Sequence, residues 1–137
     1  MYNLIVNKLL VICGSTATGK TSLALHLAEK FSGELVSADS RQVYRGMDII
    51  TNKDLPKGVK VHLADFVDPK KEFSVSQWKK ETIKTLKNLQ KKNKLPIVVG
   101  GTGLYIESLI KNIESIDIPP NKKLRNEMEG KSAKELY

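Results

Sequence analysis

Gly14-Ser15-Thr16-Ala17-Thr18-Gly19-Lys20-Thr21 is a complete G-x-x-x-x-G-K-[ST] phosphate loop. Before it, Leu9-Leu10-Val11-Ile12-Cys13 has the pattern of a buried strand. After it, Leu23, Ala24, Leu27, Ala28 and Phe31 fall on one helical face. Strand, glycine loop and helix in that order supply the context that a phosphate site requires. A glycine turn in a nucleotide-free fold would share the glycines but not these flanks. Gly14 and Gly19 let the backbone curl until successive N–H groups point at an anion. The helix N-terminus behind them adds the positive end of a dipole. Lys20 can bridge outer phosphate oxygens, and the Thr21 hydroxyl can hold Mg²⁺. The motif specifies a polyphosphate without saying which one.

Further along, Glu34 to Ala38 alternates and ends at Asp39, which reads as a second strand. Ser40 to Gly46 is a short helix or turn, and Leu55-Pro56-Lys57-Gly58 has loop chemistry. Val59 to Val67 reads as extended, with Val61, Leu63 and Phe66 inward, until Asp68-Pro69 breaks it. Ser74 and Gln77 form a capping box for a helix carrying Val75, Trp78, Thr82, Leu86 and Leu89 inward and lysines outward. Pro96-Ile97-Val98-Val99 is a short apolar strand of the kind buried on both faces. It runs into Gly100-Gly101-Thr102-Gly103 and a helix with Leu104, Ile106, Leu109 and Ile110. After Ile118-Pro119-Pro120 the chain is weakly helical, with Leu124 and Met128 as its few apolar positions.

This alternation predicts an α/β fold of the P-loop-containing nucleoside triphosphate hydrolase type, a parallel sheet flanked by helices. The expected division is an α/β core over 1–118 and the start of a truncated helical region over 119–137. Ligands in such sheets bind at the carboxyl ends of strands. The glycine loop, Asp39 and Gly101-Thr102 all fall there, and together they define a candidate site.

The 137 residues suit one domain with a real core, and 40% hydrophobic with 28% charged residues describe a soluble globular protein. No apolar run of about 18 residues is present, so no membrane span is expected. The first residues carry no basic-then-apolar signal region, which points to the cytoplasm. Cys13 is the only cysteine, so disulfides within the chain are excluded, and its place at a strand end suits a small buried filler. The net charge of +8 would suit a polyanion such as RNA. Only three of the 23 basic residues are arginine, however, and general lysine usage gives the same total.

Asp39 has three readings from position alone: a water-mediated Mg²⁺ ligand, a general base toward an acceptor, or a helix cap. Arg41 and Arg45 would share a face if helical, suited to phosphate or base contacts or to surface ion pairs. Thr102 could donate to a phosphate or base, though a β-to-α turn also favours Gly and Thr for conformation alone. His26, inside the first helix, reads as structural, and His62 has no partner visible in sequence.

Val36-Ser37-Ala38-Asp39-Ser40-Arg41-Gln42-Val43-Tyr44-Arg45-Gly46-Met47-Asp48-Ile49 follows the phosphate loop. Later come Phe66-Val67-Asp68-Pro69, Phe73-Ser74-Val75 and Pro96-Ile97-Val98-Val99-Gly100-Gly101-Thr102-Gly103-Leu104-Tyr105. In this order and spacing the chain resembles the tRNA dimethylallyltransferase family, from Leu9 to about Tyr137. The run from Asp39 to Ile49 is far more specific than the phosphate loop.

The resemblance implies transfer of a dimethylallyl group from dimethylallyl diphosphate to the exocyclic amine of an adenine beside the tRNA anticodon, with release of pyrophosphate. It implies that Gly14, Ser15, Thr16, Ala17, Thr18, Gly19, Lys20 and Thr21 cradle the prenyl diphosphate with Mg²⁺. It also implies that the catalytic residues are Asp39, the general base, and Lys20, which stabilises the departing pyrophosphate, and that Asp39, Ser40, Arg41, Gln42 and Thr102 contact tRNA. The target base would be flipped into the site.

Two departures stand against the family pattern. After Ile49-Ile50, where the family usually reads Gly-Thr-Ala-Lys-Pro, the chain reads Thr51-Asn52-Lys53-Asp54. Plant adenylate isopentenyltransferases have a similar Thr-Asn-Lys, which makes a free adenine nucleotide the alternative acceptor. The chain is also about half the usual family length or less, and stops inside a predicted helix without a stop signal. It is therefore expected to be an amino-terminal fragment, paired with a separately encoded carboxy-terminal half or surviving as an inactive polyphosphate- or RNA-binding remnant. A small-molecule P-loop kinase is the remaining alternative. It would need lid arginines over a γ-phosphate, and only Arg125 lies beyond Arg45.

Overall fold

The computed structural model describes residues 8–51, 53, 58–111, 113, 116 and 118–137. The elements are β1 (Leu10–Cys13), α1 (Lys20–Phe31), β2 (Gly33–Ser37), β3 (Val61–His62), α2 (Val75–Lys91), β4 (Leu95–Gly100), α3 (Gly103–Ile110), α4 (Lys122–Met128) and α5 (Ala133–Leu136). The four strands form one parallel sheet in the order β1-β4-β2-β3. β4 therefore lies between β1 and β2, in register Ile12↔Val99 on one side and Ser37↔Val99 on the other. This is the expected P-loop type of α/β architecture.

Side-chain alternation along the strands builds two cores. Leu35 of β2 and Ile97 of β4 pack with Ala24 of α1 on one face, joined by Leu10 and Ile12. Val36 and Val98, one residue on, point to the other face and meet Trp78, Ile83, Leu86 and Leu89 of α2 and Tyr105, Ile106 and Leu109 of α3. The central strands are covered on both faces, which is why they read as continuous apolar runs.

The helix starts follow their local chemistry. Ser74 Oγ accepts the Gln77 N–H, and Gln77 Oε1 accepts the Ser74 N–H, so the capping box forms as expected. Trp78 and Thr82 are fully buried, as their spacing requires.

Several expectations fail. Cys13 is exposed: it ends β1, which among the described residues pairs only with β4, and it turns into an exposed loop. Leu23, Phe31, Leu104 and Ile110 are apolar positions of their helices but stand exposed, since one sheet face cannot cover a whole apolar stripe. The stretch from Val59 to Val67 is a strand only at Val61–His62, with one further parallel bridge between Tyr44 and Val67. Leu63 (φ 60°) and Asp65 (φ 55°) adopt left-handed backbone that ends the extended run. Ser40 to Gly46, expected as a short helix or turn, takes the turn form, so Arg41 and Arg45 do not share a helical face. Most of Leu55-Pro56-Lys57-Gly58 lies outside the described residues. Among the described residues no helix is long and apolar enough to cross a membrane.

Candidate functional site

The phosphate loop joins β1 to α1 at the carboxyl edge of the sheet. Gly19 occupies the cap of α1 in left-handed backbone (φ 79°, ψ 12°), and Ala17 is also left-handed (φ 64°). Thr18 Oγ1 donates to the Ser15 carbonyl at 2.8 Å, closing the loop on itself. The Lys20 ammonium donates to the same carbonyl, so it curls back over the loop. A ligand with anionic oxygens would compete for that ammonium with a stronger, charge-assisted bond.

Asp39 follows the carboxyl end of β2. Its Oδ1 accepts the N–H groups of Arg41 (2.9 Å) and Gln42 (3.1 Å), so the capping role is realised at a turn. Among the described residues no group donates to Oδ2, which leaves one carboxylate oxygen available to an acceptor. Thr102, at the start of α3, ties this loop to the end of β4. Its Oγ1 accepts the Ser40 N–H at 2.9 Å and donates to Ser40 Oγ at 3.3 Å. Its own N–H reaches the Ala38 carbonyl at 3.1 Å.

The close approach of β2 and β4 here depends on Gly100. A Cβ at that position would lie 2.2 Å from the Ala38 carbonyl oxygen. Beneath the edge, Trp78 stacks on Tyr105 with centroids 4.5 Å apart, and its indole N–H donates to the Ser37 carbonyl at 3.0 Å. Burial pushes the Tyr105 phenol up to about 12, with Tyr44 and Asp39 adding to the shift, so it stays neutral.

Between these features lies a cleft of about 290 Å³. Thr16 to Thr21 line one side, Ser37, Asp39 and Gln42 another, and Gly100 and Gly101 the floor. The candidate residues that sequence placed at three strand ends thus meet around one space. Gly14, Ser15, Ser40, Arg41 and Thr102 do not line it directly; Thr102 is hydrogen-bonded to Ser40, beside Asp39 in the same turn. Among the described residues no cluster of three or more His, Cys, Asp or Glu could hold a metal ion. Thr21 and Asp39 in one cleft do fit Mg²⁺ carried in on phosphate oxygens, the usual way Mg²⁺ is held with one or two protein ligands.

Away from the cleft, His62 does have a partner: its Nε2 lies 2.7 Å from Glu34 Oε2. That hydrogen bond holds the Glu34 carboxyl below its ordinary value of 4.5. His26 is exposed on α1. Sequence reasoning gave no role to Lys53, Asp65, Trp78 or Gly100 at the site. For Gly100, the only signal was the glycine pair at a strand end.

The sequence model of the family described as IPP transferase matches residues 42–137. The chain belongs to the IPP transferase family. Over 130 residues it is 48% identical to tRNA dimethylallyltransferase 1 of Geotalea daltonii, covering 93% of this chain and 42% of that protein. It is 45% identical over 128 residues to tRNA dimethylallyltransferase 2 of Treponema denticola, covering 92% and 43%. Among solved structures it resembles the full-length tRNA isopentenylpyrophosphate transferase of Bacillus halodurans, with TM-score 0.76, 41% identity, and coverage of 89% and 41%. A eukaryotic dimethylallyltransferase that acts on tRNA also gives TM-score 0.76, at 34% identity and coverage of 91% and 33%. The chain therefore spans about two fifths of the length of the curated IPP transferases it matches.

Proposed function

We propose that this chain carries the diphosphate-binding and acceptor-activating part of a tRNA dimethylallyltransferase. One observation carries the reading: the phosphate loop and the Asp39 turn line the same cleft. A P-loop kinase would use a similar pair but would also need lid arginines over a γ-phosphate, and only Arg125 lies beyond Arg45. A prenyl transfer onto an adenine amine needs the loop and the turn, because a diphosphate must leave on one side while a proton is taken on the other.

In this reading the backbone amides of Ser15 to Gly19 and the Lys20 ammonium hold dimethylallyl diphosphate and stabilise the charge that grows on the leaving pyrophosphate. Mg²⁺, held by the Thr21 hydroxyl, would supply further charge neutralisation there. The allylic C–O bond breaks, a bond forms from the adenine amine to the allylic carbon, and the amine proton passes to Asp39. Its Oδ2 receives the proton while Oδ1 stays engaged with the Arg41 and Gln42 amides. An adenine amine is a weak nucleophile, and a positioned base contributes typically ~10²–10⁴-fold. Ser40, Arg41 and Gln42 meet the flipped acceptor nucleotide, with Thr102 setting the position of Ser40. We further propose that 1–118 is the α/β core and that 119–137 begins a separate helical region, since α4 and α5 bury no residue. An enzyme acting on tRNA in this way would work in the cytoplasm.

The test is pyrophosphate release and prenyl incorporation with dimethylallyl diphosphate, Mg²⁺ and unmodified tRNA, with ATP in a parallel reaction. Prenylated tRNA that disappears in Asp39→Asn is the expected result. The asparagine keeps a carbonyl oxygen for the two backbone amides and loses only the base. ADP formation without prenylation would overturn the reading in favour of a kinase. Prenylation of free adenine nucleotide but not of tRNA would replace the acceptor.

A further inference from the structure

Lys53 holds a cation where few lysines lie: its side chain is 1% exposed. Its ammonium has three donors, and each finds an acceptor. They are the Tyr44 carbonyl at 2.7 Å, Asp48 Oδ1 at 2.8 Å and Asp65 Oδ1 at 2.7 Å. Asp65 Oδ1 also accepts the Gly46 N–H at 3.2 Å. Lys53 thereby ties two points of the turn that begins at Asp39, Tyr44 and Asp48, to Asp65 in the segment after β3, and Asp65 in turn holds Gly46. That turn has no helix of its own to hold it.

Two of the gathered residues, Gly46 (φ 68°) and Asp65 (φ 55°), are in left-handed backbone. Asp65 is not a glycine, so its conformation persists only where contacts enforce it. Burial works against the charge of Lys53, but the bonds to Asp48 and Asp65 outweigh it and hold the ammonium above 10.5. The same contact holds Asp65 below 3.8. The clasp is therefore fully ionised at neutral pH. Without it, two carboxylates within 2.8 Å of one point would be left facing each other.

We propose that Lys53 is a positioning residue for the acceptor side of the cleft. It fixes the turn from Arg41 to Asp48 so that the turn can receive an RNA acceptor, and it has no part in holding the diphosphate. Lys53 is not among the residues lining the cleft, so it acts through the turn. This inference rests on the reading of Asp39 to Gln42 as the acceptor contact.

The test separates the two halves of the cleft. Pyrophosphate with Mg²⁺ is titrated calorimetrically, and an anticodon stem-loop RNA by fluorescence anisotropy at fixed salt. Amide hydrogen exchange is followed across residues 43–47. Wild type is compared with Lys53→Met and with the triple variant that adds Asp48→Asn and Asp65→Asn. Lys53→Met should bind RNA at least about tenfold more weakly, as expected for loss of a charged hydrogen-bonded group, and pyrophosphate within about twofold of wild type. Exchange across the turn should rise at least about tenfold, and the triple variant should recover neither property. Unchanged exchange would overturn the proposal. So would full recovery of RNA binding in the triple variant, which would make the effect one of charge alone. A joint loss of RNA and pyrophosphate binding would also overturn it, making Lys53 a scaffold residue. If wild type binds pyrophosphate but no RNA, the tRNA reading fails. The exchange measurement then still decides whether Lys53 sets the turn.

Discussion

Replacing Gly100 by alanine should damage the site more than any exposed change, and the structure gives the size of the effect. The new Cβ would lie 2.2 Å from the Ala38 carbonyl oxygen, 2.4 Å from its carbon and 2.8 Å from its Cα. Ordinary contact begins near 3.4 Å, so the ends of β2 and β4 must part by about 1 Å. The obstacle is backbone, which cannot swing aside as a side chain would. Parting the strands stretches two bonds at once, Ala38 N–H to the Val99 carbonyl (2.8 Å) and Thr102 N–H to the Ala38 carbonyl (3.1 Å). Each contributes about 1 kcal/mol, and overpacking strain adds about 1–3 kcal/mol. The expected cost is thus about 3–5 kcal/mol, a fall of roughly 10–20 °C in melting temperature for a domain of this size.

Gly103, three residues on, is the internal control. Nothing lies within 4 Å of a Cβ built there, and it opens α3. Gly103→Ala should therefore raise stability by about 0.4–1 kcal/mol. Thermal melts followed by circular dichroism, with pyrophosphate titration of the folded variant, check both. A Gly100→Ala protein melting within about 3 °C of wild type would refute the argument that this contact sets the spacing of the cleft.

Lys20→Met should weaken pyrophosphate binding by about 10–100-fold in calorimetry, the worth of one hydrogen-bonded charge, with little change in melting. Trp78→Phe keeps an aromatic ring against Tyr105 but leaves the Ser37 carbonyl without its indole donor. It should cost about 1–3 kcal/mol in urea denaturation. The carboxyls of Glu34 and Asp65 are held below their ordinary values by His62 and Lys53 respectively. Their stabilising contribution is complete above the unfolded-state values of 4.5 and 3.8, and is lost as pH falls through the lower folded-state values. The urea midpoint should therefore drop on acidification below about pH 4.5, and less steeply in Glu34→Gln.

The fold was legible where chemistry is local. The phosphate loop, the Ser74 capping box and the Trp78-Thr82-Leu86-Leu89 spacing each depend on neighbours a few residues away. Misreadings came where distant chain decides the outcome. Cys13 is an apolar-looking strand end, but only the strand order reveals that β1, among the described residues, is paired on one side alone. The extended reading of Val59 to Val67 could not foresee the left-handed turns at Leu63 and Asp65, because their stabilising contacts come from Gln42, Val43, Gly46 and Lys53. Asp39 was ambiguous among cap, base and metal ligand because one carboxylate has two oxygens, and Oδ1 being occupied by backbone amides does not disqualify Oδ2. His62 seemed alone because its partner, Glu34, is 28 residues away in sequence and one strand away in space.

The position of β4 also governs how the molecule assembles. β1 and β2 are separated in sequence only by the phosphate loop and α1, yet among the described residues they do not pair; each bonds to β4 instead. A nascent chain that has not reached Leu95 therefore holds an unpaired phosphate-loop strand with both edges open, the kind of edge that invites aggregation. Insertion of Leu95–Gly100 joins β1 to β2, seats the Asp39 turn and brings the glycine loop opposite it in one event. Donor and acceptor sides of the cleft thus arise together, late, through a contact distant in sequence of the type that slows folding.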